Sequence, residues 1–183
     1  LNHLICLMVY FILKNEGMMV WGNSNHDFRQ LLAGNGSASG DPLKEAGRVS
    51  YIESHDEDRL VYEMIEFGQS SGTYSTKDLS VALDRSKLAS AFFYTLPGPK
   101  MLWQFQELGY DIDINVAGRT GEKPLPWGTA GLGYYEDSQR QKLYQATAEI
   151  INLTNRYATA FDEGSLTTVL SGDIRTISIV HDS

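Results

Sequence analysis

The sequence predicts an α/β chain with a parallel sheet, followed by the start of an antiparallel β domain. Three observations predict it. Strand-like and helix-like periodicities alternate from Met18 to Leu153. The apolar run Val49–Ile52 empties abruptly into the charged cluster Glu53, His55, Asp56, Glu57, Asp58 and Arg59. Beyond Leu153 the pattern changes to short β-prone runs separated by turn residues. With 183 residues and 42% apolar composition, the chain is large enough for one domain with a real core.

Leu4 to Leu13 is an unbroken apolar run, too short to span a bilayer. It lacks a basic segment before it and an Ala-x-Ala-like site after it, so it makes a poor signal peptide and a buried strand or helix is the plain reading. Met18–Trp21 follows Gly17 as a short buried strand. Asn23, Ser24 and Asn25 offer helix caps for the stripe Phe28, Leu31 and Leu32, which Gly34 ends. Gly34 to Gly47, rich in Gly, Ser and Ala, is a loop, and Val49–Ile52 is the next strand. Leu60, Tyr62, Met64, Ile65 and Phe67 predict a short helix closed by Gly68, and Gln69 to Thr76 a polar loop. A long helix runs from about Leu79 to Leu96, with Leu88, Ala91, Phe92 and Thr95 recurring at three and four, and Pro97-Gly98-Pro99 stops it. Lys100–Trp103 is the strand after it, expected beside Val49–Ile52 and parallel to it. Gln104 to Trp127 is long and irregular, and a loop of that length within a compact domain is usually functional. Asp137 or Ser138 caps a last helix to Leu153, with Leu143, Ala146, Ile150 and Leu153 on one face. Tyr157–Phe161, Leu166–Leu170 and Ile174–Val180 read as short strands.

Composition excludes some functions. The formal net charge is -8, from 15 Lys+Arg against 23 Asp+Glu, and there is no basic run, so a nucleic-acid phosphate surface is not expected. The single cysteine, Cys6, excludes an internal disulfide framework and a Cys-based zinc site. Trp21, Trp103, Trp127 and ten Tyr supply rings with an apolar face and a polar edge, which suit sugar stacking and ordinary cores alike.

The chemistry concentrates in Val49 to Arg59. A buried strand emptying into a charged loop resembles the mouth of a (β/α) barrel, where catalytic groups sit at the C-terminal ends of strands. The plainer alternative is a strand followed by a solvated acidic turn.

Three ordered stretches carry a resemblance. Tyr51-Ile52-Glu53-Ser54-His55-Asp56 is similar to the motif that ends the seventh barrel strand in the alpha-amylase family of glycoside hydrolases. Leu96-Pro97-Gly98-Pro99-Lys100-Met101-Leu102-Trp103-Gln104-Phe105-Gln106-Glu107-Leu108-Gly109 resembles the family's eighth-strand segment. Gly118-Arg119-Thr120-Gly121-Glu122-Lys123-Pro124, with Trp127, resembles the loop leading into the last barrel helix. Met18-Met19-Val20-Trp21-Gly22-Asn23 fits the sixth strand. The resemblance implies the C-terminal portion of a TIM (β/α)8 barrel over residues 1–154, with 1–10 doubtful. The truncated start of a C-terminal β domain would follow over 155–183.

The same resemblance implies a retaining glycosidase acting on alpha-linked glucans. Such an enzyme needs one carboxylate nucleophile and one carboxylic acid about an oxocarbenium-like transition state. The family adds a third carboxylate, which Asp56 matches as transition-state stabiliser. His55 would donate a hydrogen bond to a sugar hydroxyl, or be a satisfied loop histidine. Arg59 and Glu53 are further candidates for substrate binding; Arg59, Glu57 and Asp58 either line the cleft or form a solvated ion-pair network. Trp103 and Tyr110 lie at the mouth of the eighth strand, where Tyr110 could stack on a glucose ring and Trp103 suits the core better. Arg119 and Lys123 read as surface or loop-anchoring groups.

The nucleophile and acid strands of the family find no clear counterpart. The acid's place falls near Asn2-His3, and Asn2 cannot donate a proton as an acid. Leu4 to Tyr10 is apolar where polar residues are expected, which a reading-frame error before about residue 11 would explain, and Ser183 falls mid-domain. The chain is therefore expected to be a fragment, inactive alone. The readings kept open are an amylase, a 1,4-alpha-glucan branching enzyme or glucanotransferase, and a non-catalytic glucan-binding remnant. The expected partner is an alpha-glucan, with no nucleic acid and no membrane. No cofactor or metal site is identifiable, although the parent family can carry calcium, and the compartment is open between cytoplasmic and secreted.

Overall fold

The computed structural model describes residues 50–96, 99–169 and 176–182. The expected strand Met18–Trp21, the helix through Phe28 and Leu32, the loop from Gly34, the apolar run Leu4–Leu13 and the Pro97-Gly98 stop lie outside them.

Two short strands form the parallel pair expected from the sequence: β1 (Ser50–Tyr51) beside β4 (Lys100–Met101), in register Ser50↔Lys100 and Tyr51↔Met101. Each is shorter than the apolar run that predicted it. Parallel neighbours need a long connection, and here it holds helix α1 (Leu60–Phe67), a hairpin of β2 (Ser70–Ser71) and β3 (Tyr74–Ser75), and helix α2 (Leu79–Tyr94). The hairpin replaces the plain polar loop expected from Gln69 to Thr76. Gly72 at φ 60° makes its turn, and Thr76 Oγ1 joins its base, accepting from Gln69 N at 2.9 Å. Gly68 ends α1 because a Cβ there would lie 2.2 Å from Met64 O.

Helix α2 buries Ala82, Leu83, Ser86, Ala89, Ser90, Phe93 and Tyr94. The stripe predicted through Leu88, Ala91, Phe92 and Thr95 lies round the helix from that face: Leu88 is 62% exposed and the other three are half-buried. The buried face uses small residues where an apolar count looks for large ones. Ser86 satisfies its hydroxyl internally, donating to Ala82 O at 2.9 Å, so it can be buried at little cost. Small side chains let α2 pack closely along helix α3 (Ser138–Arg156). Ile52, Leu60, Val61, Met64, Leu83, Phe93 and Leu143 meet there in the main core.

Asp137 caps α3, accepting from Gln139 N at 2.8 Å and Arg140 N at 3.0 Å. Leu143 is buried, as expected, but Leu153 is 46% exposed. Arg140, 3% exposed, ties α3 to the irregular segment before it: its guanidinium donates to the carbonyls of Leu108 and Gly109, pairs with Asp111 at 2.9 Å, and lies 3.6 Å from the Tyr134 ring centre. That segment begins with a single 3-10 turn (Gln106–Leu108) and carries a second core of Leu108, Tyr110 and Tyr134.

Tyr157–Phe161, expected to be a strand, lies largely in helix α4 (Ala158–Glu163), with Phe161 N donating to Tyr157 O at 3.1 Å. Two alanines in the run favour helix over strand. Strands β5 (Ser165–Val169) and β6 (Thr176–Val180) then pair antiparallel, Ser165 opposite Val180.

Candidate functional site

The site is the turn that carries the chain from β1 to α1. Tyr51, Ile52, Glu53 and Ser54 are buried; His55 and Asp56 emerge; Arg59 and Leu60 are buried again. The burial follows from what each group can bond. Glu53 Oε1 accepts from Arg59 at 3.0 Å, and Glu53 Oε2 accepts the first free N–H of α1, Leu60 N, at 2.9 Å. One carboxylate thus closes the turn and caps a helix whose N-cap residue, Arg59, makes no side-chain cap of its own. The guanidinium of Arg59 lies 5.1 Å from the Tyr110 ring centre and 5.7 Å from that of Trp103, close enough for cation–π attraction.

On this support sit His55 and Asp56. Their side chains are 70% and 71% exposed, with His55 Nε2 3.4 Å from Asp56 Oδ1. Ser54 Oγ shapes the bend by accepting from Asp56 N at 3.2 Å. The His55 ring rests against Trp103 at 5.7 Å between centres. Asp58 points away from them, accepting from Ile114 N at 2.8 Å, and Tyr62 donates to Asp113 at 3.1 Å. Arg119 donates to the Asp56 carbonyl.

Burial, more than neighbouring charge, pushes the Glu53 carboxyl above the ordinary glutamate value, while Arg59 and the Leu60 N–H pull it back. Burial also raises Glu57, with the Asp56 charge adding to it and the Ser54 hydroxyl opposing. Among the described residues, Glu57 Oε1 is buried without a hydrogen-bond partner.

The five sequence candidates therefore divide. The structure brings His55 and Asp56 together at the surface. It places Glu53, Arg59 and Tyr110 beneath them, 3%, 7% and 3% exposed. Tyr110 spends its hydroxyl on Pro124 O at 2.6 Å, so its ring is packed in the interior. Of the two readings left open for Arg59, an ion pair is what forms, and it is buried rather than solvated. Sequence reasoning passed over Ser54. Its signal is the hydroxyl two residues before Asp56, the spacing of a side-chain-to-backbone turn. Among the described residues no group of three or more His, Cys, Asp and Glu could hold a metal ion, and no helix is long and apolar enough to cross a membrane.

No family model matches the sequence, and no curated protein matches it. Solved structures do match in shape. Cyclic alpha-maltosyl-(1-->6)-maltose hydrolase from Arthrobacter globiformis, in complex with maltose, is 23% identical, with 96% of this chain and 34% of that chain covered at a TM-score of 0.59. An AmyP variant in complex with maltotriose is 14% identical, with 94% and 36% covered at 0.61. The alpha-amylase from H. orenii is 14% identical, with 97% and 36% covered at 0.55. The chain spans about a third of the length of these structures. The resemblance carried by the sequence motifs and the likeness of shape lead to one group of proteins: over that third, this chain shares its fold with glycoside hydrolases of the alpha-amylase type.

Proposed function

We propose that this chain forms part of the alpha-glucan site of a retaining glycoside hydrolase of the alpha-amylase type, with Asp56 as the stabilising carboxylate. On this reading β1 and β4 are the last two strands of a (β/α)8 barrel, and β5 and β6 open the β domain after it. The observation that carries the proposal is the exposed His55–Asp56 pair at the C-terminal end of a parallel strand, raised on a buried clamp. An exposed carboxylate on a fixed turn can accept two sugar hydroxyls, and its charge favours the positive ring carbon that develops as the glycosidic bond breaks. His55 donates to a sugar hydroxyl while its ring stays seated on Trp103. Glu53, Arg59 and Tyr110 act from below, fixing the turn rather than touching sugar. The nucleophile and general acid of double displacement are assigned to no residue of this chain, and water as acceptor makes the reaction hydrolysis.

The test is Asp56→Asn in the full-length protein, by steady-state kinetics on a soluble alpha-glucan. A carboxylate that acts mainly on developing charge lowers kcat by about 100- to 1000-fold when neutralised, with a small change in KM. Unchanged kcat with a raised KM would reduce Asp56 to a binding residue and refute the mechanism.

A further inference from the structure

Among the described residues, the stretch 113–123 also touches the Asp56 turn, beside the clamp and Trp103. Residues 113–123 form a chain of tight turns: Val116 N donates to Asp113 O at 3.1 Å, Gly118 N to Asn115 O at 2.8 Å, and Gly121 N to Gly118 O at 3.0 Å. Ala117 and Gly118 both have positive φ, 56° and 81°. A non-glycine residue held there carries strain that its surroundings must offset. Gly121 cannot be larger, because a Cβ would lie 1.9 Å from Ala117 O. Lys123 folds back into the middle, its ammonium donating to three carbonyls: Val116 O at 2.7 Å, Gly118 O at 2.6 Å and Gly121 O at 3.2 Å. All three ammonium donors are thereby used on the loop's own backbone.

The loop so fixed is tied to the segment 54–62 at three places. Asp58 accepts from Ile114 N, Tyr62 donates to Asp113, and Arg119 donates to the carbonyl of Asp56 itself. The first two anchor the near end of the loop. The third delivers a guanidinium to the backbone of the residue proposed to face the sugar. Because Arg119 grips a main-chain oxygen, it leaves the Asp56 carboxylate free for a ligand.

We infer that Arg119 is a positioning residue for Asp56, held in place by the Lys123-centred loop. The inference rests on the reading of Asp56 as a transition-state stabiliser. A carboxylate on an exposed turn has little packing to define its place, so an external tether to its carbonyl sets where the charge sits. Displacement by about 1 Å at such a group can cost about 100-fold in rate.

Two measurements on the full-length protein test it. In Arg119→Ala, kcat on soluble glucan is expected to fall about 10- to 100-fold with KM within about twofold, and Arg119→Lys to recover part of the loss. Added to Asp56→Asn, Arg119→Ala is expected to cost less than about twofold more, because it acts through that carboxylate. Full activity in Arg119→Ala, or losses that multiply in the double variant, would overturn the inference. The second measurement is hydrogen exchange across residues 54–58, which reads the tether without reference to activity. Faster exchange there in Arg119→Ala, with the thermal midpoint little changed, supports it, and unchanged exchange overturns it. If exchange rises while Asp56→Asn leaves kcat intact, the tether stands and the functional reading of Asp56 falls.

Discussion

Arg59→Met asks whether the clamp beneath the site is held by charge. The side chains of Arg59 and Glu53 are 9% and 4% exposed, their closest atoms 3.0 Å apart. Removing the cation leaves a carboxylate in an apolar setting, with Leu60 N as the remaining donor on its other oxygen. Breaking a buried pair in this way costs about 3–5 kcal/mol, mostly as the penalty of the abandoned charge. The loss should depend on pH. Burial already holds Glu53 above its ordinary value of 4.5, so above that pH the folded state binds more protons than the unfolded state and stability falls as pH rises. Arg59 opposes this shift, so its removal steepens the fall. The deficit of Arg59→Met is thus expected to be largest at neutral pH and to shrink as pH drops toward the ordinary value, where Glu53 takes up a proton. Urea unfolding from pH 4.5 to 8, with tryptophan fluorescence as readout, measures it. The double variant Glu53→Gln/Arg59→Met keeps a carbonyl oxygen for Leu60 N and should be more stable than Arg59→Met alone near neutral pH. A deficit that is the same across the range, or a double variant no better than the single, would refute the assignment of the pair as a charge clamp.

Other substitutions probe the frame around it. Asp137→Ala removes the acceptor for two N–H groups at the start of α3 and should cost about 1 kcal/mol, read as a lower thermal midpoint by circular dichroism. Gly109→Ala meets two obstacles, φ at 63° and a Cβ placed 2.4 Å from Leu83 Cδ2; about 1–3 kcal/mol from the backbone and a similar amount from overpacking should lower the urea midpoint sharply. Glu57→Gln removes a buried charge that burial holds above its ordinary range, so the variant's stability should fall less than that of the parent as pH rises above 4.5, in paired urea titrations. The 183-residue chain by itself is expected to release no reducing sugar from starch, since no nucleophile and acid pair is assigned within it; release that vanishes in Asp56→Asn would overturn that expectation.

The parallel pairing of β1 with β4 was legible because both runs are apolar, bounded by breakers and separated by helical periodicity. The cap at Asp137 was legible because a side-chain oxygen before a periodic run has one obvious use. What was not legible turns on partners distant in sequence or on side-chain size. Leu88 looks like a core residue by hydropathy, yet α2 turns Ser86 and Ser90 inward, toward Ile52, Leu60, Val61 and Gly109. Tyr157 to Phe161 mixes two aromatic rings that favour strand with two alanines that favour helix, and it forms a helical turn with Phe161 N on Tyr157 O and Tyr157 N on Leu153 O. At the site, six charged or titratable groups stand within seven residues, and composition alone does not say which of them face inward. Glu53 and Arg59 are sorted into the interior by the fit of one carboxylate to a guanidinium on one side and a helix N-terminus on the other. Of the residues singled out from the sequence, His55 and Asp56 are exposed and Tyr110 is buried.

That sorting has a chemical logic. A group that must meet developing charge has to keep its lone pairs free, and a free carboxylate cannot be fixed by its own hydrogen bonds. In the role proposed for it, Asp56 would resolve the conflict by borrowing its rigidity: Ser54 holds its N–H, Arg119 holds its carbonyl, and Glu53 bonds Arg59 and Leu60 at the far end of the bend. The carboxylate itself faces His55 at a distance longer than a strong hydrogen bond. Local rules are broken at two points, with a charged pair buried and like-charged acids placed side by side. Such departures are expected at a working site, where the surrounding structure must offset what the site costs in stability. The substitutions that damage function most selectively should then be those at Asp56, while those at Glu53 and Arg59 should damage stability and function together.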